Sequence, residues 1–251
     1  MIRVILHGAN GHMGRVTEEL ARERGDLKIV AGVDAAGEAS GAFPVYARLS
    51  EVKEEADVVI DFSVAAAAGA LLADCVAKKL PLVLCTTGLS EAQTEQMREA
   101  SKQIAVLKSA NMSLGINLLL KLVREAAPVL KEAGFDIEIV EKHHRRKLDA
   151  PSGTALALAD AAKEALGGEV PYAFDRSARH EARPADEIGL SAVRGGTIVG
   201  DHDVIFAGTD EVITLSHSAY SRAIFAKGAL QAAAFLAGKG AGLYGMSDVI
   251  S

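Results

Sequence analysis

Residues 3–34 read as a strand, a glycine loop, a helix and a second strand ending on an acid, an order that few folds accept. Arg3-Val4-Ile5-Leu6-His7 is short and apolar, and Gly8-Ala9-Asn10-Gly11-His12-Met13-Gly14 follows it. Residues 15–24 then favour a helix, and residues 28–33 lead to Asp34. Glycines 8, 11 and 14 form G-x-x-G-x-x-G, a relative of the stricter G-x-G-x-x-G dinucleotide fingerprint. Glycines let backbone approach a pyrophosphate, and the next helix offers unpaired amides and the positive end of its dipole. Asp34 lies 20 residues past Gly14, where a carboxylate can bond the ribose hydroxyls of an adenosine. The loop alone is equally a tight turn. Its agreement with the strand, helix and acid points to a bound dinucleotide.

The alternation continues. Residues 57–62, 82–85 and 104–107 are short apolar strands. Between them lie a helix over 64–78, with Ser63 as its cap, and one to about 102, opened by the capping-box spacing of Ser90 and Gln93. Such strands predict a parallel sheet covered on both faces, with ligands at the strands' carboxyl ends. Those ends carry Gly8 to Met13, Asp34, Phe62-Ser63, Cys85-Thr86-Thr87 and Ser109-Ala110-Asn111-Met112.

The second half changes character. A helix over 113–132 contains Pro128, which predicts a kink or an early end. Phe135, Ile137 and Ile139 then alternate with Asp136 and Glu138, a strand buried on one face. Residues 167–187, with two prolines and three arginines, read as loop. Strands over 188–193, 197–206 and 211–217, joined by Arg194-Gly195-Gly196 and Ala207-Gly208-Thr209-Asp210, suggest antiparallel hairpins. An alanine-rich helix spans 222–237. The fold class expected is α/β: a Rossmann-like parallel-sheet domain plus a second α+β domain with a mostly antiparallel sheet.

Between these strands lies Glu141-Lys142-His143-His144-Arg145-Arg146-Lys147-Leu148-Asp149-Ala150-Pro151-Ser152-Gly153-Thr154-Ala155. Six consecutive residues, 142–147, are basic or titratable in a chain of formal net charge -6. Ser152 can cap the alanine-rich helix that follows, whose first amides form an anion site beside the cations. Histidines next to a lysine and a helix start suit holding a small carboxylate and supplying a proton. The competing reading is a solvated basic turn, or phosphate contacts of a dinucleotide-sensing DNA-binding protein, for which no recognition element is visible.

This run resembles the signature of the dihydrodipicolinate (4-hydroxy-tetrahydrodipicolinate) reductase family of lysine and diaminopimelate biosynthesis, and the resemblance extends over nearly the whole chain. It implies NAD(P)H-dependent reduction of a small cyclic dicarboxylate. A related reductase of another amino-acid-derived substrate is the alternative. By position, His143 is the proton donor and Lys147 a second donor, while His144, Ser152, Gly153 and Thr154 bind substrate carboxylates. Gly8, Ala9, Asn10, Gly11, His12 and Met13 correspond to the phosphate loop and Asp34 to the ribose acid. Cys85, Thr86, Thr87, Ser109, Ala110, Asn111 and Met112 correspond to the nicotinamide end. The implied division is 1–112, completed by 222–251, for the dinucleotide, and 113–221 for substrate and oligomerisation, in a homotetramer. Three positions depart from the pattern: Ala35 and His12 stand where many relatives have arginine, and Cys85 where they have glycine. Without those guanidiniums, and with Asp34 repelling a 2′-phosphate, NADH is expected to serve at least as well as NADPH.

Arg145 and Arg146 read as flank and Asp149 as a turn stabiliser. His7, His180, His202 and His217 take no role, and Arg222 and Phe225 are possible cofactor neighbours. A pI near 5.7 argues against general nucleic-acid binding. No metal-ligand spacing, signal-peptide pattern or membrane-length apolar run stands out, so no metal, no membrane and a cytoplasmic location are expected. Cys75 and Cys85 are expected as reduced thiols.

Overall fold

The computed structural model describes residues 1–37 and 42–250. Along the chain run β1 (Ile2–His7), α1 (His12–Arg22), β2 (Leu27–Val33), β3 (Val45–Tyr46), β4 (Val58–Asp61), α2 (Ala65–Lys78), β5 (Leu82–Leu84), α3 (Glu91–Ser101) and β6 (Ala105–Lys108). Then come α4 (Leu114–Glu132), β7 (Asp136–His143), α5 (Gly153–Ala165), β8 (Tyr172–Phe174), β9 (Ile188–Arg194), β10 (Gly200–Ala207) and β11 (Val212–Ala219). The chain closes with α6 (Ala223–Leu236), β12 (Gly242–Tyr244) and α7 (Met246–Ile250). Two compact units result, Met1–Leu114 with Ala223–Ser251, and Gly115–Arg222. Among the described residues no helix is long and apolar enough to cross a membrane.

The first unit is a parallel sheet in the order β12-β6-β5-β4-β1-β2-β3. Its strands are apolar on both faces because both are covered. Val4, Leu6, Ile60 and Leu107 pack with Ala21 of α1 and Ala229, Leu230 and Ala233 of α6. Ile5, Val59, Leu84 and Val106 pack with Leu71 and Cys75 of α2 and Met97 of α3. The capping box at Ser90 and Gln93 forms as the spacing predicts. Ser63 does not cap α2. Its amide is taken by Asp61 Oδ1 at 3.0 Å, and the helix starts two residues later with Val64 at the cap position.

The second unit has the order β11-β10-β7-β9-β8. β10 pairs antiparallel with β11 and β7, whereas β9 runs parallel to β7 and to β8. β9 and β10 are therefore not a hairpin, because β7 lies between them. Residues 167–187 are not all loop either: β8 forms there, and Arg176 and Arg183 clamp the segment onto Glu138 of β7. The α4 helix runs through Pro128 without ending. Pro128 faces solvent, so the carbonyl it leaves unpaired is not trapped in the core, while Val123 and Ala127 anchor the helix on its buried side. That core joins them to Ile137 and Ile139 of β7, Leu158 of α5, and Val204 and Phe206 of β10.

Candidate active site

In β7 the side chains alternate, and the row facing the core reads Ile137, Ile139, Glu141, His143. Two apolar residues are thus followed by two titratable ones. The corresponding row of β10 reads Gly200, His202, Val204, Phe206. The same end of the core therefore receives Glu141, His143 and His202 beneath the start of α5.

Glu141 is fully buried, and both its oxygens are used twice. Arg194 of β9 forks onto them, Nη1 to Oε2 and Nη2 to Oε1, each at 2.7 Å. The Ser152 amide donates to Oε1 at 2.9 Å, and His143 Nδ1 lies 2.6 Å from Oε2. Burial alone would raise this carboxyl's pKa, but the hydrogen bonds from Arg194, His143 and Ser152 outweigh it and hold the group ionised. An ionised carboxylate only accepts, so His143 Nδ1 is the donor. On the other side of the ring, Gly200 leaves room that a side chain would take: a Cβ there would stand 3.0 Å from His143 Nε2.

Ser152 caps α5 as its spacing predicts, accepting from the Ala155 amide, and its hydroxyl also lies 3.0 Å from His202 Nε2. His202 meets His143 edge-on, centroids 5.1 Å apart. Burial, with His143 adding to it, pushes the pKa of His202 down to about 4. Gly153, next along, is exposed with open space around it, and Thr154 is half-buried.

The basic turn is only partly solvated. His144 is half-buried, and its pKa is lowered first by desolvation and then by Arg146, His143, Arg222 and Lys147. Positive charge thus converges on a neutral imidazole. Lys147 Nζ pairs with Asp149 Oδ1 at 2.8 Å, and the Asp149 carbonyl accepts from Arg194 at 2.6 Å, so Asp149 does brace the turn. Arg145 and Arg146 are exposed.

In the first unit the glycine loop is shaped for close approach. Gly8 sits at φ 80°, and a Cβ on Gly14 would come 2.3 Å from the Gly8 carbonyl oxygen. The amides of Gly8 and Ala9 are taken by the Val33 carbonyl, that of Gly11 by Gly8, and that of Asn10 by Asp34 Oδ2 at 3.1 Å. The α1 helix starts at His12 with Gly11 at the cap position and no side-chain cap from it, an arrangement in which first-turn amides can take an anion. These residues fit a dinucleotide: the loop folds on itself, and its glycines bring backbone close at the start of a helix. Asp34 directly follows β2 and precedes the exposed Ala35 and Ala36, with no cation among the described residues of that turn.

The nicotinamide-end candidates divide. The Thr86 hydroxyl donates to buried Asp61 at 2.6 Å and its carbonyl accepts from Lys108 Nζ at 2.7 Å, whereas Thr87 is exposed. Met112 is a core residue, Asn111 Oδ1 caps the Ser113 amide at 2.8 Å, and Ser109 and Ala110 stay accessible. Cys85 is half-buried beside them, and burial pushes its thiol pKa up. Both cysteines are free thiols.

Sequence reasoning passed over Glu141, Arg194 and His202. The signal for Glu141 and His202 was present: each lies in the row of its strand that is otherwise apolar. Arg194 carries none: in the sequence it opens Arg194-Gly195-Gly196, which reads as a turn, whereas it is the last residue of β9.

The family model for the dihydrodipicolinate reductase N-terminus matches residues 2–112, and that for its C-terminus residues 115–250. The 4-hydroxy-tetrahydrodipicolinate reductase of Caldanaerobacter subterraneus subsp. tengcongensis is 56% identical, covering 100% of this chain and 98% of the relative. That of Clostridium tetani is 47% identical over the same shares. Among solved structures, the dipicolinate-bound dihydrodipicolinate reductase of Paenisporosarcina sp. TG-14 superposes with a TM-score of 0.82 at 26% identity, covering 99% of each chain. A probable dehydrogenase from Thermotoga maritima shares the fold, with a TM-score of 0.65 at 13% identity over 99% of this chain and 92% of that one. The chain belongs to the dihydrodipicolinate reductase family, the NAD(P)H-dependent reductases of 4-hydroxy-tetrahydrodipicolinate in the diaminopimelate route to lysine.

Proposed function

We propose that the turn at 143–147 and the start of α5 bind the two carboxylates of the substrate, and that His143 supplies the proton that completes reduction. One observation carries this reading: buried, ionised Glu141 holds both His143 Nδ1 and the Ser152 amide, so the imidazole and the helix start share one frame. Bound nicotinamide dinucleotide supplies the hydride. The chain's task is to grip a dianion and protonate the ring carbon beside the reduced one. Gly153 and Thr154 offer the helix-start amides to one carboxylate, with Ser152 fixing where they begin. His144, in the field of Arg146, Lys147 and Arg222, takes the other. Lys147 draws the dianion in and is a second proton donor. Binding of dipicolinate by the Paenisporosarcina relative supports a small dicarboxylate as the ligand.

In the dinucleotide unit, His12 and Met13 offer amides to the pyrophosphate, and Asp34 accepts from the ribose hydroxyls. With Ala35 and Ala36 after Asp34, NADH serves at least as well as NADPH. The sheet face turned away from α4 and α5 carries Val140, Val193 and Ile205 beside Glu138 and the Lys142–Asp203 ion pair, a mixed apolar and charged surface offered for pairing between copies in a homotetramer. Sedimentation as a monomer at micromolar concentration would contradict that assembly.

The test is NADH consumption with freshly generated 4-hydroxy-tetrahydrodipicolinate. Removing an essential proton donor is expected to lower kcat by about 10²–10⁴-fold in His143→Ala, and by a comparable step in Lys147→Ala. Equal activity in all three proteins would remove the assignment.

A further inference from the structure

We propose that Glu141 is the positioning residue of the reduction, setting the tautomer of His143 and the location of the α5 start at once. The inference rests on the reading of His143 as the proton donor. A carboxylate in a core-facing row is costly: unpaired, it would forfeit its hydration with nothing in return, and Ile137 and Ile139 show that the same row accepts aliphatic side chains. The cost is offset by a complete set of partners. Oε1 accepts from Ser152 N and Arg194 Nη2, while Oε2 accepts from His143 Nδ1 and Arg194 Nη1. Arg194 neutralises the charge and also reaches the Asp149 carbonyl, tying in the turn that carries Lys147. Two strands, a turn and a helix start therefore meet on one side chain.

The chemical consequence lies in which imidazole nitrogen works. With Nδ1 committed to Glu141, Nε2 is the atom that exchanges a proton, and Gly200 leaves it room. A carboxamide of the same shape cannot do this. Turning its NH2 toward Arg194 and Ser152 sets donor against donor, and turning it toward His143 forces Nδ1 to accept, which moves the proton to Nε2.

Glu141→Gln is the test, with kcat and both KM values measured and the His143 ring followed by ¹⁵N NMR. We expect kcat to fall by at least about tenfold, as for other partners that orient a working histidine, with the KM for NADH within about twofold of wild type. We also expect the neutral wild-type ring to be the Nδ1–H tautomer and the variant ring to shift toward Nε2–H. A kcat within about twofold of wild type in Glu141→Gln, beside an inactive His143→Ala, would overturn the proposal. So would an Nε2–H tautomer in the wild type, which decides the matter even if the variant does not fold. Full activity in His143→Ala would instead remove the underlying reading.

Discussion

His7 and Asp61 are register partners on adjacent parallel strands, and their side chains meet at 2.7 Å between Nδ1 and Oδ1 at the carboxyl edge of the first sheet. Asp61 is fully buried and also accepts from the Ser63 amide and the Thr86 hydroxyl, so one carboxylate ties the ends of β1, β4 and β5. Burial would raise its pKa, but the bonds from His7, Ser63 and Thr86 lower it below the usual aspartate value. Because the folded pKa is depressed, the stabilisation is present above about pH 4 and disappears as pH falls through the folded value. Asp61→Ala, which strands buried Thr86 and the half-buried His7 and Ser63, is expected to lose about 3–5 kcal/mol of unfolding free energy at pH 7. Urea melts at pH 7 and pH 3 check both statements: the gap between wild type and variant should narrow at the lower pH.

His202 gives a second, separate pH dependence. Its folded pKa of about 4 lies below the ordinary histidine value of 6.5, so the unfolded chain binds the extra proton first. Stability should therefore decline as pH falls from about 6.5 to 4, by on the order of 3 kcal/mol from this group, whose own contribution is constant below that. His144 and His217, also shifted down, add in the same direction. His202→Gln should flatten the slope without abolishing it, as thermal midpoints across that range would show.

Ala35 directly follows the acid proposed to hold the ribose, and it is exposed. Placing a guanidinium there, in Ala35→Arg, is expected to raise the NADPH-to-NADH ratio of kcat/KM by about tenfold, the worth of one exposed charge-assisted bond to a 2′-phosphate. Steady-state kinetics with both reductants decide it. A wild-type preference for NADPH above about tenfold would defeat the premise as well.

Gly228 in α6 lies against the backbone of Met112, where a Cβ would come 1.7 Å from the carbonyl oxygen. Neither partner can yield as a flexible side chain would. Gly228→Ala is expected to cost about 1–3 kcal/mol or more, and to weaken NADH binding because the displaced segment includes Ser109 to Met112. Calorimetry and fluorescence titration measure the two effects.

The parallel sheet was legible because each of its longer strands is an apolar run bounded by turn residues, and the glycine loop announces the first crossover. Strands β3, β8 and β12 were not: two or three residues show no alternation, and unlike the equally short β5 they lack a run such as Leu82-Val83-Leu84-Cys85. The supposed β9–β10 hairpin failed for another reason: Arg194-Gly195-Gly196 encodes a reversal of direction, but only tertiary packing puts β7 between the two strands. In the site, the histidines, Lys147 and the Ser152 cap stood out by local chemistry. Glu141 did not, although its place in an alternating row beyond Ile139 marked it as a charge facing inward.

The seating of α6 and β12 in the first unit also constrains how the protein can be made. When a ribosome has released β1 to β6, the sheet still has an unpaired edge at β6, and the side that α6 will cover is bare. Both remain so until the whole second unit has been synthesised, on the order of ten seconds at about 5–20 residues per second. An open edge and a bare face persist through that interval, so the half that emerges first is the half whose core is completed last.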